Sequence, residues 1–187
     1  MIDSHENRDG TGRSAFDPFA MFGLSRRFDL ADAEIEAAFL GRLAGAHPDL
    51  AGDGAALDAA GLTEARSALL DPERRAGVLL ALLGGPDASV DASLPDGFLM
   101  EIMELRGEVE DDLGAGGDDA RDRWDSFAQD RRSAHIARVG GLFAGLGETP
   151  SLGELGAIRT ELNAWRYTER LIEQLDPGYD PGRADFS

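Results

Sequence analysis

A proline at position 48 separates two stretches of helical pattern, and it constrains the fold of this 187-residue chain more than any other residue. Proline has no amide hydrogen to donate and disfavours helical backbone at the residue before it, so a helix that approaches from Ile35 must end near Ala46. His47, Pro48 and Asp49 are therefore predicted to lie in a loop, which a Gly- and Asp-rich segment extends. A second helical pattern comes next, so the sequence predicts two helices joined at a His-Pro-Asp tripeptide.

The composition favours helices in the rest of the chain as well. Ala and Leu dominate, β-branched residues are few, and no segment shows the alternating apolar pattern of a half-buried strand. Hydrophobic residues make up 42% of the chain, enough for a packed core. We therefore predict an all-α fold, with helices over about 18–23, 29–46, 55–70, 72–83, 94–113, 119–146 and 151–176.

Composition shifts divide this pattern into two predicted domains. A polar tail over 1–14, read as disordered, precedes a helical domain over 15–84. A linker over 85–93, rich in Gly, Pro, Asp and Ser, leads to a second domain over 94–176. Its three long segments with short connections predict an antiparallel three-helix bundle, and 177–187 form a second tail.

The charge of the chain excludes several classes of partner. It carries 36 acidic and 18 basic residues, a formal net charge of −18, which would repel nucleic-acid phosphates and anionic membranes. There is no Cys, so disulfides and thiol catalysis are excluded. Neither a secretory signal nor a membrane-spanning stretch is recognisable, and a cytoplasmic location is expected.

Three motifs in order along the chain resemble one family. Residues 17–24, Asp-Pro-Phe-Ala-Met-Phe-Gly-Leu, followed by Arg-Arg-Phe at 26–28, are similar to the start of the HscB-type J-domain co-chaperones of iron–sulfur cluster assembly. Leu-Asp-Pro-Glu-Arg-Arg-Ala at 70–76 resembles the end of that J-domain. Phe-Leu-Met-Glu-Ile-Met-Glu-Leu-Arg at 98–106 resembles the opening of the family's C-terminal bundle. The resemblance implies an N-terminal J-domain, a helical hairpin with short helices, and a C-terminal three-helix bundle.

The resemblance also implies a function and its residues. The J-domain would stimulate ATP hydrolysis by a DnaK- or HscA-type chaperone, and the bundle would deliver an IscU-type iron–sulfur scaffold protein. The residues expected to bind the chaperone are His47, Pro48, Asp49, Arg42, Arg26 and Arg27. Those expected to bind the scaffold are Leu99, Met100, Met103, Glu104, Asp111 and Tyr167.

Helical geometry gives a separate expectation for the first bundle segment. At about 100° per residue, Ile102, Leu105 and Val109 lie within about 40° of Phe98 and form a core stripe. Met100 and Met103 then point away from the core, at about 200° and 140°. Exposed apolar residues mark interaction surfaces, although burial against the first domain or another bundle partner is an equal alternative.

Some positions depart from the family pattern. The helix before His47 carries Leu40, Gly41 and Gly45 where Lys or Arg is common, and Leu50 comes after the tripeptide where a basic residue is common. Electrostatic steering to an acidic chaperone should therefore be weak. Val78 and Gly107 also replace an aromatic and an acidic residue of the family.

The remaining residues give no second chemistry. The acidic run 108–112 lacks calcium-loop spacing, and His5 and His135 stand alone, so no metal site is expected. No nucleophile or phosphate-loop motif is present, and neither an enzyme nor a cofactor is expected. Two alternatives stay open: a J-like helical binding module without chaperone coupling, and an unrelated acidic helical scaffold that shares short strings.

Overall fold

The computed structural model of the protein describes residues 16–45 and 53–175. Within these two ranges the regular secondary structure is helical, with no strand, which confirms the predicted all-α class. The chain divides into two compact units, with the boundary in the sequence between Gly84 and Gly85. The predicted tails, 1–14 and 177–187, lie outside the described residues.

Six helices succeed one another in the described ranges. The first four belong to unit 1 and the last two to unit 2. They are α1 Pro18–Phe22, α2 Asp32–Gly45, α3 Asp53–Leu70, α4 Pro72–Leu82, α5 Phe98–Ala144 and α6 Leu152–Leu175.

Two helices of unit 1 begin with the same local signal. The side chain of Asp17 accepts a hydrogen bond from the backbone N of Ala20 at 3.0 Å at the start of α1. Asp71 accepts from the backbone N of Arg74 at 3.0 Å at the start of α4. In both cases a proline occupies the first helical position, where its missing amide costs nothing. These two starts confirm the sequence prediction.

Helices α2 and α3 form the predicted hairpin. Glu36, in the first half of α2, pairs with Arg66, in the second half of α3, so the two helices run antiparallel. The guanidinium of Arg66 also lies over the ring of Phe39, 5.3 Å from its centroid. In the sequence, residues 46–52 connect the two helices. Phe19, Ile35, Leu69 and Leu80 are fully buried in unit 1.

Helix α5 reverses its direction within its 47 residues. Nη1 of Arg131 lies 2.5 Å from Oε1 of Glu101, and Nε1 of Trp124 donates to Oδ2 of Asp112 at 3.1 Å. In a straight helix, which rises about 1.5 Å per residue, Glu101 and Arg131 would be about 45 Å apart. The chain therefore folds back between residues 112 and 123. We call residues 98–112 arm 1 and residues 123–144 arm 2.

Arm 1, arm 2 and α6 together make the three-helix bundle of unit 2. The predicted core stripe of arm 1 is buried, and it packs with Ala128 of arm 2 and with the apolar face of α6. One buried cluster of this core consists of Phe98, Ile102, Leu105, Val109, Ala128, Ala164, Leu171 and Leu175.

Two predicted boundaries of the bundle were wrong. The first segment was expected to begin near Leu94, but α5 begins at Phe98, after Gly97 with a φ of 76°. A break was expected over 114–117, but the backbone stays helical through these residues, in the region where the direction reverses. Both differences have one physical cause. Glycine permits many backbone angles, so a glycine in the sequence does not by itself show whether a helix starts, continues or ends there.

Helix α6 begins with a capping box. The backbone N of Ser151 donates to Oε2 of Glu154 at 2.8 Å, and the backbone N of Glu154 donates to Oγ of Ser151 at 3.2 Å. Each side chain thus satisfies an amide that has no partner within the helix.

Residues 86–93 are bound to α6. Nε of Arg159 donates to the carbonyl of Pro86 at 2.9 Å. Nδ2 of Asn163 donates to the carbonyls of Asp91 and Ser93, at 2.9 and 3.0 Å. Three backbone carbonyls of this segment are therefore satisfied by side chains of the last helix of the bundle.

Candidate functional site

The His-Pro-Asp tripeptide falls in the segment between α2 and α3. His47, Pro48 and Asp49 lie outside the described residues, as does Leu50. Helix α2 ends at Gly45 and α3 begins at Asp53. The hairpin that the sequence predicted on either side of the tripeptide is present.

Two arginines assigned to chaperone binding are held by acidic residues of unit 1. Nη2 of Arg26 lies 2.6 Å from Oδ2 of Asp17. Arg27 pairs with Oε1 of Glu34 at 2.7 Å and with Oδ1 of Asp29 at 3.0 Å. The hydrogen bond from Arg27 is the leading cause that lowers the pKa of the Asp29 carboxyl. Each arginine thus has a carboxylate beside it that cancels much of its field.

Arg42 differs from the other two. Its side chain is exposed on α2, and it makes no hydrogen bond or ion pair with a described residue. Its guanidinium lies near the backbone at Gly23, where Nη2 would be 3.8 Å from an added Cβ. The positive charge of Arg42 is therefore not cancelled by a carboxylate of the described part of unit 1.

Arm 1 presents an apolar surface opposite its buried stripe. Leu99, Met100 and Met103 are 51%, 71% and 66% exposed. The two methionines point away from the core, as the helical geometry predicted. Burial against another helix of the bundle is wrong, because both stay exposed there, while burial against the first domain stays an alternative. We call Leu99, Met100 and Met103 the arm 1 patch.

Acidic residues follow the arm 1 patch along the same helix. Glu104 and Asp111, both assigned to scaffold binding, are exposed, as are Glu108 and Glu110. Arg106 is the basic residue in the sequence between Glu104 and Asp111. A partner that covers this patch must offer apolar side chains with basic groups around them.

Tyr167 has a different environment from the other residues assigned to scaffold binding. It is half-buried on α6, and its ring meets the ring of Phe98 edge to face, with the centroids 5.9 Å apart. Phe98 is the first residue of arm 1, next to Leu99. Tyr167 therefore supports the end of arm 1 from which the patch begins.

A buried polar network between arm 2 and α6 was not predicted from the sequence, in which His135 was expected to stand alone. His135 is 1% exposed. Its Nδ1 lies 2.6 Å from Oε1 of Glu161, and its Nε2 lies 3.0 Å from Oγ1 of Thr168. Its ring stacks on Trp165 with an interplanar angle of 4°. Because a carboxylate only accepts, Nδ1 of His135 donates to Glu161, and Nη2 of Arg138 lies 3.0 Å from the same nitrogen.

The network holds Glu161 in its charged form. Burial alone would raise the pKa of Glu161, but hydrogen bonds from His135 and Arg138 outweigh it and hold the pKa below the ordinary value. The folded state then binds fewer protons than the unfolded state. The carboxylate contributes stability above its unfolded-state pKa, and this contribution is lost as the pH falls through the lower, folded-state value.

We expect Glu161→Gln to destabilise the bundle at pH 7 and to differ less from the wild type as the pH falls below about 4. The neutral amide cannot take part in this proton linkage. Urea unfolding of both proteins across this pH range measures the difference. If the unfolding free energies of the two proteins differ by the same amount at every pH, the role assigned to Glu161 is contradicted.

Neither a metal site nor a membrane span appears among the described residues. Within 16–45 and 53–175, His, Asp and Glu side chains form no group of three or more placed to hold a metal ion. In the same ranges, no helix has the length and apolar character needed to cross a membrane.

Comparison with known proteins shows which family has this architecture. Residues 94–176 match the family described as the HSCB C-terminal oligomerisation domain. The co-chaperone protein HscB homolog of Burkholderia mallei (strain SAVP1) is 36% identical over 166 residues, which cover 84% of this chain and 93% of that protein. The corresponding protein of Ralstonia nicotianae is 29% identical over 169 residues, with 84% and 95% covered.

Solved structures agree in fold. Chaperone HscB from Vibrio cholerae superposes with a TM-score of 0.67 at 27% identity, covering 85% of this chain and 94% of that chain. Human co-chaperone protein HscB gives a TM-score of 0.68 at 21% identity, with 90% and 82% covered. Unit 1 therefore has a J-domain fold and unit 2 is the C-terminal helical domain. The chain belongs to the HscB family of co-chaperones.

Proposed function

We propose that this co-chaperone stimulates the ATPase of a DnaK- or HscA-type chaperone and delivers an IscU-type iron–sulfur scaffold protein to it. The observation that carries the proposal is the arm 1 patch, three large apolar side chains exposed on the helix whose opposite face is the bundle core. Large exposed apolar side chains that no described residue covers are typical of a surface that binds another protein.

The arm 1 patch supports the scaffold half of the proposal. Methionine is flexible and polarisable, which suits an adaptable contact. The carboxylates of Glu104 and Asp111 would receive basic groups at the rim, where charge sets the association rate and the specificity. Tyr167 would act mainly by supporting Phe98 and the start of arm 1. The client expected from this chemistry is a protein with an apolar segment flanked by Lys or Arg.

The hairpin supports the chaperone half. Helices α2 and α3 run antiparallel, and the chain between them carries His47, Pro48 and Asp49. An Asp carboxylate can accept charge-assisted hydrogen bonds from an arginine of a partner, and Pro48 limits the conformations of the loop. Arg42 is the described residue of the hairpin best suited to reach the same partner, because it has no carboxylate bound to it among the described residues.

A second function is favoured by one observation. Arg26 and Arg27, the other cations near the hairpin that were assigned to the chaperone, are paired within unit 1. A J-like domain that cannot attract its chaperone would leave only the scaffold-binding surface in use. In that case the protein would be a helical binding module without chaperone coupling.

One titration distinguishes these functions. Purified co-chaperone is added to its own DnaK-type chaperone, with and without the IscU-type scaffold, and steady-state ATP hydrolysis is measured. We expect the rate to rise with co-chaperone and to rise further when the scaffold is present. Scaffold binding without any rise in the ATPase rate would favour the uncoupled module. The absence of both scaffold binding and a rise in the ATPase rate would overturn the proposed function.

A further inference from the structure

Among the described residues of unit 1, one charged side chain is buried, that of Arg75 in α4. Arg75 is 6% exposed, and it forms no ion pair with a residue in 16–45 or 53–175. Its Nη1 donates to the carbonyl oxygen of Leu69 at 2.5 Å, and its guanidinium carbon lies 5.3 Å from the centroid of the Phe28 ring. Its Nε is buried without a hydrogen-bond partner among the described residues. Arg75 is therefore held by one carbonyl and one aromatic ring.

A side chain placed in this way adds little to the stability of unit 1. Burial is the leading cause that lowers the pKa of Arg75 from its ordinary value, and the charges of Asp32, Asp71 and Asp29 oppose it without forming an ion pair. Apolar residues that replace buried charged groups often leave the stability unchanged or raise it. The hydrogen bond to Leu69 acts in the other direction. Stability alone therefore does not account for an arginine at this position.

The contacts of Arg75 join the two helices of the hairpin at one end. Leu69 is the last residue but one of α3, and Phe28 lies four residues before Asp32, the first residue of α2. Because the two helices run antiparallel, the start of α2 and the end of α3 lie at the same end of the hairpin. We call this end the hairpin base. Arg75 thus connects α4, the end of α3 and the segment that leads into α2.

A change of angle at the hairpin base is amplified along the helices. Helix α2 has 14 residues, so it is about 20 Å long at a rise of about 1.5 Å per residue. A rotation of about 10° at the base would move the other end of α2 by about 3–4 Å. The far ends of the two helices are Gly45 and Asp53, which border the segment that contains the His-Pro-Asp tripeptide in the sequence. The angle at the base therefore sets the spacing of these two helix ends.

We infer that Arg75 is a positioning residue: its guanidinium fixes the angle between α2 and α3 at the hairpin base, and through that angle the spacing of the helix ends that flank the tripeptide. This inference rests on the proposed function. A planar guanidinium suits this role, because its N–H groups donate in its plane while its face packs on a ring, so it is fixed in two directions. Because Arg75 is buried, it acts on the chaperone only through the placement of the two helices.

The test is Arg75→Met in the full-length chain, which replaces the guanidinium with an apolar side chain. We expect the maximal stimulated rate of the chaperone ATPase to fall about tenfold, because a small misplacement far from a reacting centre lowers a rate strongly. The co-chaperone concentration that gives half of this rate should change by less than about threefold, since the exposed side chains of unit 1 are unaltered. The midpoint of thermal unfolding should stay within about 5 °C of the wild-type value.

A distance measurement tests the geometry directly. The chain has no Cys, so Ala44→Cys on α2 and Ala60→Cys on α3, both at exposed positions, accept one nitroxide label each. By pulsed EPR, adding Arg75→Met should shift or broaden the label-to-label distance by about 2–4 Å. Arg74→Met is the matched control, because Arg74 is exposed on α4 and pairs with Glu64 of α3, and exposed pairs contribute little. It should change neither the distance nor the maximal rate.

A second variant keeps the test decisive if Arg75→Met does not fold. Arg75→Lys keeps the charge and a donor but lacks the planar group that lies over Phe28. We expect it to lower the maximal rate by about threefold, with a smaller change in the label distance than Arg75→Met gives.

The outcomes separate this inference from the function on which it rests. A folded Arg75→Met protein, or a folded Arg75→Lys protein in its place, with the maximal rate or the label distance of the wild type overturns the positioning role. A fall in rate that Arg74→Met shares, or that comes with an unfolding midpoint lower by more than about 10 °C, also overturns it, because lost stability then explains the fall. In these cases the wild type still stimulates, and the proposed function stands. A wild type that does not stimulate overturns the proposed function, and a label distance that still shifts shows that the geometry is not at fault.

Discussion

Replacing His47 with Gln is expected to abolish stimulation of the chaperone ATPase while the helix content of the protein stays the same. The amide of Gln keeps a donor and an acceptor, but it lacks the imidazole ring and cannot take up a proton near neutral pH. Because α2 ends at Gly45 and α3 begins at Asp53, the substitution lies outside both helices, and we expect their backbone hydrogen bonds to be kept. The ATPase titration and circular dichroism measure the two quantities.

The same substitution at the buried histidine of the bundle provides the control. His135→Gln removes the ring that stacks on Trp165 and breaks contacts to Glu161 and Thr168, all at a side chain that is almost fully buried. It should lower the unfolding free energy by several kcal/mol, because buried groups lose their partners. If His47→Gln stimulates as well as the wild type, the tripeptide is not the site of coupling.

Ile102→Ala and Met100→Ala are expected to have opposite effects, although the two residues are two positions apart on arm 1. Ile102 is buried in the bundle core, so its truncation leaves a cavity and should cost about 2–5 kcal/mol of stability. Met100 is exposed, so its truncation should change stability by less than about 0.5 kcal/mol. Chemical unfolding measures both values.

Scaffold binding should show the reverse order. Met100→Ala removes a side chain of the arm 1 patch and should weaken binding of the IscU-type scaffold by about tenfold, or about 1.4 kcal/mol. Ile102→Ala, measured under conditions where it remains folded, should bind the scaffold with little change. A Met100→Ala variant with unaltered affinity would show that the client binds elsewhere on the bundle.

The parts of the fold that were predictable from sequence depend on neighbours in the chain. The caps at Asp17, Asp71 and Ser151 use side chains and amides three residues apart, so the pattern of residue types is enough. The core stripe of arm 1 and the outward direction of Met100 follow from helical periodicity alone.

The parts that were not predictable depend on residues far apart in sequence. His135 meets Glu161 and Thr168, which are 26 and 33 residues away, and the reversal of α5 is revealed by the contact of Arg131 with Glu101. One local signal was available: Thr168 is a polar residue on the apolar face of α6. The acidic partners of Arg26 and Arg27 were also close in sequence, but the resemblance assigned these arginines to the chaperone, and that role stays a prediction.

The attachment of residues 86–93 to α6 has a consequence for the way the protein is made. The first residues of unit 2 are held by Arg159 and Asn163, in the last helix, so the bundle cannot close until α6 has left the ribosome. Unit 1 ends at Gly84, and its synthesis is complete well before α6 is made. Because domains fold as units from the N-terminus during synthesis, unit 1 can fold before the bundle does. The nascent protein would then present a finished J-domain while the bundle, with the surface proposed to bind the client, is still incomplete.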